Sequence, residues 1–199
     1  MTDKETLDVY AGAARQYADG FAKPADKFHD PDFDAFVSAL PEGGHVLDLG
    51  CGPGHWAARF ANHGFLVSAT DASPEMAALA KDDFGIDATV ATFDDLVAKG
   101  VYDGIWANFS LLHAPRAAFP GYLARVYTAL KPGGVFHIGM KLGEAEGRDS
   151  LGRFYAYYGE DELKSLLGEA GFKVTRSRRG NGKGLAGGEE TYVIVTAHA

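Results

Sequence analysis

The stretch that most constrains the fold is Val46-Leu47-Asp48-Leu49-Gly50-Cys51-Gly52-Pro53-Gly54, followed by Ala69-Thr70-Asp71-Ala72-Ser73. Residues 46–49 make a short, largely apolar run of the kind that forms a strand buried on both faces. Glycines at 50, 52 and 54 let the backbone turn sharply and let a ligand approach it closely. Pro53 suits the first turn of a following helix, where a missing N–H costs nothing. A strand, a glycine turn, a helix and a second strand closing on Asp71 make the first half of a mononucleotide-binding α/β fold. The Asp71 carboxylate then reaches the two hydroxyls of a ribose.

Spacing narrows the ligand. A dinucleotide fingerprint reads Gly-x-Gly-x-x-Gly, but His55 stands at its third glycine, and Gly54 comes one residue early. With Asp48 two residues before the first glycine, the stretch resembles motif I of the class I S-adenosylmethionine-dependent methyltransferases, and Asp71 falls where that family has its ribose-binding acid. The resemblance covers residues 44–197. It implies an α/β fold of three layers: a doubly wound, seven-stranded, mostly parallel sheet with an antiparallel last strand. Residues 1–43 are then an N-terminal helical cap of the same domain, and 44–199 the S-adenosylmethionine-binding core.

The resemblance also implies the cofactor S-adenosyl-L-methionine and a set of residues around it: Tyr10, Tyr17, Asp48, Gly50, Gly52, Asp71, Ala72, Met76, Phe93, Asp94 and Asn108. In the family pattern the turn at residues 92–96 lies beside the adenine, where an acid accepts from the exocyclic amine. Asp94 is the choice for that acid, with Asp95 adjacent and not separable by sequence. Residues 108–113 look like motif IV, where the chain leaves the sheet beside the transferred methyl. His113 is therefore the candidate general base, since histidine titrates near neutrality. Packing over the cofactor loop is its other reading. Tyr17 is the second catalytic candidate, offering an aromatic face to the sulfonium.

Along the chain, Leu7, Tyr10, Ala14 and Tyr17 mark one face of a first helix, so both tyrosines point the same way, either over the cofactor or into the core. Residues 20–30 read as irregular, and Asp30-Pro31 as an N-cap and first-turn proline for a second helix buried through Phe33, Phe36, Val37 and Leu40. Strands are expected at 66–70, 88–91, 102–108, 135–140, 172–177 and 191–197, with helices between them. Residues 142–158 show no period and form either a wall of the acceptor pocket or core support. They hold Arg148, Arg153, Phe154, Tyr155, Tyr157 and Tyr158, and Lys141 precedes them. Residues 180–188, with five glycines, read as a mobile hairpin loop.

A net charge of −8 argues against a nucleic-acid partner, and Arg176, Arg178 and Arg179 read as a solvated strand edge. One cysteine, Cys51, forbids an intrachain disulfide and fits a cytoplasmic setting. No stretch has the length and apolarity of a membrane span. His55 and His63 lack partners at metal-ligand spacing, so no metal is expected. The leading expectation is a monomeric or homodimeric enzyme methylating a small-molecule acceptor by direct in-line displacement. The alternatives are a non-catalytic S-adenosylmethionine-binding protein, acting as sensor or accessory subunit, and a nucleotide-dependent oxidoreductase, which His55 disfavours.

Overall fold

The computed structural model describes residues 3–22 and 30–199. Its strands are β1 (His45–Leu49), β2 (Leu66–Asp71), β3 (Thr89–Val90), β4 (Tyr102–Asn108), β5 (Leu130–Lys141), β6 (Glu146–Arg148), β7 (Phe154–Ala156), β8 (Lys173–Lys183) and β9 (Glu189–His198). Seven of them form one sheet in the order β3-β2-β1-β4-β5-β9-β8. Strands β1 to β5 run parallel, whereas β9 lies antiparallel between β5 and β8. The strand order reverses between β1 and β4, which opens a crevice at their carboxyl ends.

Helices α1 (Lys4–Phe21), α2 (Asp30–Ser38), α3 (His55–Asn62), α4 (Pro74–Phe84), α5 (Phe119–Ala129) and α6 (Glu160–Glu169) flank the sheet. Their apolar stripes explain the layering. Phe33, Phe36, Trp56 and Phe60 of α2 and α3 pack on Val46 and Trp106 at one sheet face. Leu123, Val126, Leu163 and Leu167 of α5 and α6 cover Leu47, Ile105 and Phe136 on the other. Each such side chain contributes about 1.5–3 kcal/mol on full burial. Helix α4 begins as its sequence requires, with Ser73 Oγ accepting from the Met76 N–H at 3.2 Å and Pro74 in the first turn. Helix α1 is capped by Asp3, whose carboxylate accepts from the Thr6 N–H at 2.8 Å.

Three expectations change. Residues 142–158 are not irregular throughout: β6 and β7 pair as a small antiparallel hairpin, tied to α1 where Arg148 meets Asp3 at 2.8 Å and Glu5 at 3.2 Å. The glycine-rich segment is mostly strand, since pairing of β8 with β9 continues to Lys183↔Glu189 and leaves only 184–188 as the turn. A ladder needs backbone groups rather than side chains, so glycines there do not end it. Arg176 and Arg178 are no solvated edge either: both pair with Asp32, which is fully buried in α2. Asp30 opens α2, and the expectations for its side chain and for residues 23–29 lie outside the described residues. Among the described residues no helix is long and apolar enough to cross a membrane, and no cluster of three His, Cys, Asp or Glu is arranged to hold a metal.

Candidate active site

The carboxyl ends of β1, β2, β4 and β5 open into a cavity of about 690 Å³ that α1 covers from above and the β8–β9 hairpin closes at one side. Hydrogen bonds fix the glycine turn to its neighbours: the Gly50 and Cys51 N–H groups donate to the Thr70 carbonyl at 2.8 and 2.9 Å, and Ser110 Oγ donates to the Leu49 carbonyl at 2.5 Å. Gly50 has φ +76°, and a Cβ there would lie 2.4 Å from Ser110 Cβ, so only glycine lets the turn lie against the end of β4. A Cβ on Gly52 would instead meet only Tyr17, at 3.9 Å. That bare backbone borders the cavity and leaves room for a ligand.

Asp71 is set against this turn. Its Oδ2 accepts from the Gly52 N–H at 2.8 Å and its Oδ1 from the Ser73 N–H at 2.9 Å. Burial raises its pKa while these backbone N–H groups hold it down. Asp48 is more isolated. It is buried on β1, and its Oδ2 has no hydrogen-bond partner among the described residues. Burial pushes its pKa up to about 8, although the Ala57 backbone N–H donates to the carboxylate. A buried, under-partnered carboxylate facing a cavity fits a cationic ligand group. The bare Gly52 backbone and the Asp71 carboxylate add the features a ribose-bearing cofactor needs.

Helix α1 brings Tyr10 and Tyr17 together over this end, with ring centroids 5.6 Å apart and edge to face. Tyr10 is the hub of a polar chain. Its hydroxyl lies 2.9 Å from His113 Nε2 and accepts from Arg153 Nη1 at 3.1 Å, while Arg153 pairs with Asp149 at 2.6 Å. His113 Nδ1 lies 2.6 Å from the Phe154 carbonyl, which can only accept, so Nδ1 carries the proton and Nε2 accepts from Tyr10. Burial lowers the His113 pKa to about 4. Its side chain therefore does not titrate near neutrality in this fold; it stays a neutral imidazole. Burial raises the Tyr17 hydroxyl pKa, so it remains protonated.

At the other end stand Lys141, Tyr155, Glu190 and Tyr192. Lys141 is buried, with Nζ 2.7 Å from Glu190 Oε1 and 3.7 Å from the centre of the Tyr155 ring. Phe109, at φ +57°, leaves β4 in a strained backbone conformation and packs edge to face on Tyr192 at 5.3 Å.

The cavity is thus bordered by Tyr10, Tyr17, Asp48, Gly50, Gly52, Asp71, Ala72, Met76, Phe93, Asn108 and His113, but Asp94 is not on it. Asp94 is exposed and accepts from the Tyr122 hydroxyl at 3.1 Å. Of residues 142–158, Arg153 and Tyr155 reach the cavity, whereas Tyr157 does not. Glu190, Tyr192 and the 181–185 tip were not among the expected site residues. The signal for the first two was alternation, since residues two apart share one face of β9. Nothing local marked which face meets the cavity.

Comparison with known proteins agrees with this architecture. The methyltransferase domain family matches residues 21–177. The ubiquinone biosynthesis O-methyltransferase of Xanthomonas campestris pv. campestris is 32% identical over 143 residues, covering 66% of this chain and 59% of the relative. The trans-aconitate 2-methyltransferase of Mycobacterium tuberculosis is 39% identical over 90 residues, covering 44% of this chain and 33% of the relative. The chain thus spans less than two thirds of the length of these curated relatives. The Burkholderia thailandensis 1,6-didemethyltoxoflavin-N1-methyltransferase, solved with 1,6-didemethyltoxoflavin and S-adenosylhomocysteine, superposes with a TM-score of 0.78 at 27% identity, covering 98% of this chain and 87% of that one. Glycine turn, strand order and family match converge: the chain belongs to the class I methyltransferases, whose cofactor is S-adenosylmethionine.

Proposed function

We propose that this protein moves a methyl group from S-adenosylmethionine to a small-molecule acceptor by direct in-line displacement. The observation that carries the reading is one continuous cavity. It joins the cofactor features, Gly52, Asp48 and Asp71, to a second, aromatic and charged end beyond His113. The cofactor supplies an already activated methyl group on a sulfonium. What remains for the chain is to bind, orient and exclude water, and such positioning supplies about 7–11 kcal/mol.

In this reading Asp71 holds the ribose, with Ala72, Met76 and Phe93 along the adenosine side. Asp48, Gly50 and Asn108 serve the amino-acid end, where the bare Asp48 Oδ2 takes a cationic ammonium. Asp94 serves as the adenine acid after a rotation of the turn at residues 93–95 that carries it inward from its contact with the Tyr122 hydroxyl. Tyr10 and Tyr17 offer ring faces to positive charge, each worth on the order of 0.5–2 kcal/mol. For an acceptor that enters protonated, the Tyr10 hydroxyl takes its proton as it passes its own to His113 Nε2, which the Phe154 carbonyl keeps in the receptive tautomer. Of the N-terminal cap, the described residues 3–22 and 30–43 belong to the same domain in this reading.

Titration calorimetry with S-adenosylhomocysteine and with NAD tests the cofactor, and transfer of labelled methyl to a panel of small phenols and N-heterocycles tests the reaction. Saturable S-adenosylhomocysteine binding with label transfer is expected. Binding without transfer to any acceptor would favour a sensor or accessory role, and preference for NAD would overturn the reading.

A further inference from the structure

Lys141 and Glu190 form an ion pair that the fold does not need. Their strands are already joined by the ladder in which Lys141 pairs with Tyr192, and a buried ion pair repays its desolvation poorly. Lys141 is 9% and Glu190 25% exposed in the side chain, and both border the cavity. The ammonium has three N–H donors but, among the described residues, one hydrogen-bond acceptor, Glu190 Oε1, with the Tyr155 ring on another side. The second carboxylate oxygen, Oε2, is approached by Gly184, where a Cβ would come within 2.7 Å. The hairpin tip is bare at the place where a side chain would cover the carboxylate. A spare donor and a spare acceptor thus stand side by side, 2.7 Å apart at their shared contact, with the aromatic rings of Tyr155 and Tyr192 around them.

We propose that Lys141 and Glu190 are the acceptor-recognition pair, selecting a planar ring that carries a hydrogen-bond acceptor and a hydrogen-bond donor on adjacent atoms. A lactam edge (C=O beside N–H) and a vicinal diol both present this pattern. Lys141 donates to the oxygen, Glu190 accepts from the N–H or O–H, and the aromatic walls take the ring face at little entropic cost. Groups on adjacent ring atoms match the short spacing of the pair. The inference rests on the reading of the chain as a small-molecule methyltransferase.

The test uses the full chain. Binding of S-adenosylhomocysteine is measured first, then the loaded protein is titrated with lumazine and with catechol, and with their blocked counterparts 1,3-dimethyllumazine and veratrole. At least one parent is expected to bind saturably, its blocked counterpart about tenfold or more weaker, since hydrogen bonds to charged groups are at stake. Lumazine alone binding identifies the lactam source, and catechol alone the diol. Glu190→Gln and Lys141→Met should each weaken the parent by a similar factor while S-adenosylhomocysteine affinity stays within about twofold. Thermal melting confirms that the variants fold, and Glu190→Gln preserves shape if Lys141→Met does not fold. Equal binding of parent and blocked probes, unchanged binding to Glu190→Gln, or no binding of either parent overturns the proposal. Loss of S-adenosylhomocysteine binding with retained probe binding would instead sink the methyltransferase reading alone.

Discussion

The Tyr10 hydroxyl donates to His113 Nε2 across 2.9 Å, bridging the N-terminal helix and the segment that follows β4. With Nδ1 held by the Phe154 carbonyl, the imidazole has no free nitrogen. Any proton it receives must come through the tyrosine. Tyr10→Phe should therefore lower turnover nearly as much as His113→Ala where the acceptor enters protonated, and by less than the roughly 10²–10⁴-fold of a base that titrates near neutrality, since the His113 pKa lies at about 4. S-adenosylhomocysteine affinity should hardly change. Full activity of Tyr10→Phe with a dead His113→Ala would show that the acceptor displaces the tyrosine and meets the histidine directly.

The charge state of His113 has a stability signature. Its folded pKa of about 4 lies below the ordinary 6.5, so between these values the unfolded chain binds the proton that the folded one refuses. Stability should fall as pH drops from 6.5 towards 4 and be flat, for this group, above 6.5. Denaturant midpoints of wild type and His113→Gln across this range check it. Parallel curves would mean that the imidazole is not held neutral.

Asp48 behaves oppositely. Its folded pKa of about 8 stands above the ordinary 3.8, so the folded chain keeps a proton that the unfolded chain has lost, and its contribution to stability declines as pH rises from 3.8 to 8. Pairing with the cofactor's ammonium favours the carboxylate, so binding at neutral pH should release a proton. Calorimetry in buffers of different ionisation enthalpy reads that release directly. Asp48→Asn should bind more weakly, release none, and melt no lower than wild type at pH 8. Proton uptake would exclude Asp48 as the ammonium site.

The two glycines of the turn should fail differently. Gly52→Val projects into the cavity and strains a backbone held at φ +53°, so cofactor binding is expected to be abolished, with some thermal stability lost as well. Gly50→Ala meets Ser110 at 2.4 Å, so thermal stability should fall first. Normal S-adenosylhomocysteine binding by folded Gly52→Val would refute the close approach of cofactor to backbone.

Asp71→Ala should remove charge-assisted hydrogen bonds to the ribose worth roughly 1.5–3 kcal/mol each. Because Asp71 also accepts from Gly52 and Ser73, some thermal stability should be lost as well. Asp71→Asn keeps shape and one acceptor, and so separates the two effects. Unchanged S-adenosylhomocysteine affinity in both variants would dismiss Asp71 from the site.

Much of this site is local, and local features are legible in a sequence. The turn at 50–54 follows its strand directly, Ser73-Pro74 starts the next helix in place, and Asp71 ends β2 just before that start. Backbone sterics and capping chemistry act over a few residues, so residue order alone determines them. The Tyr10–Tyr17 face was likewise set by helical period, and the rings do meet. Other features depend on partners far along the chain. Arg153 reaches Tyr10 across 143 residues, and Lys141 finds Glu190 across 49 through the register of β5 with β9. A shift of one residue in that register would turn Glu190 and Tyr192 to the other face of the sheet. The neutral state of His113 was hidden too, because the residue name gives a pKa in water, and only enclosure by packed neighbours supplies the desolvation that lowers it. The sequence by itself determined the glycine turn, the strand that closes on Asp71 and the start of α4, because each is built by residues close along the chain. Tertiary structure decided how that turn meets Ser110, which side chains gather around Lys141 and Glu190, and the protonation states, because all arise from long-range pairing and burial.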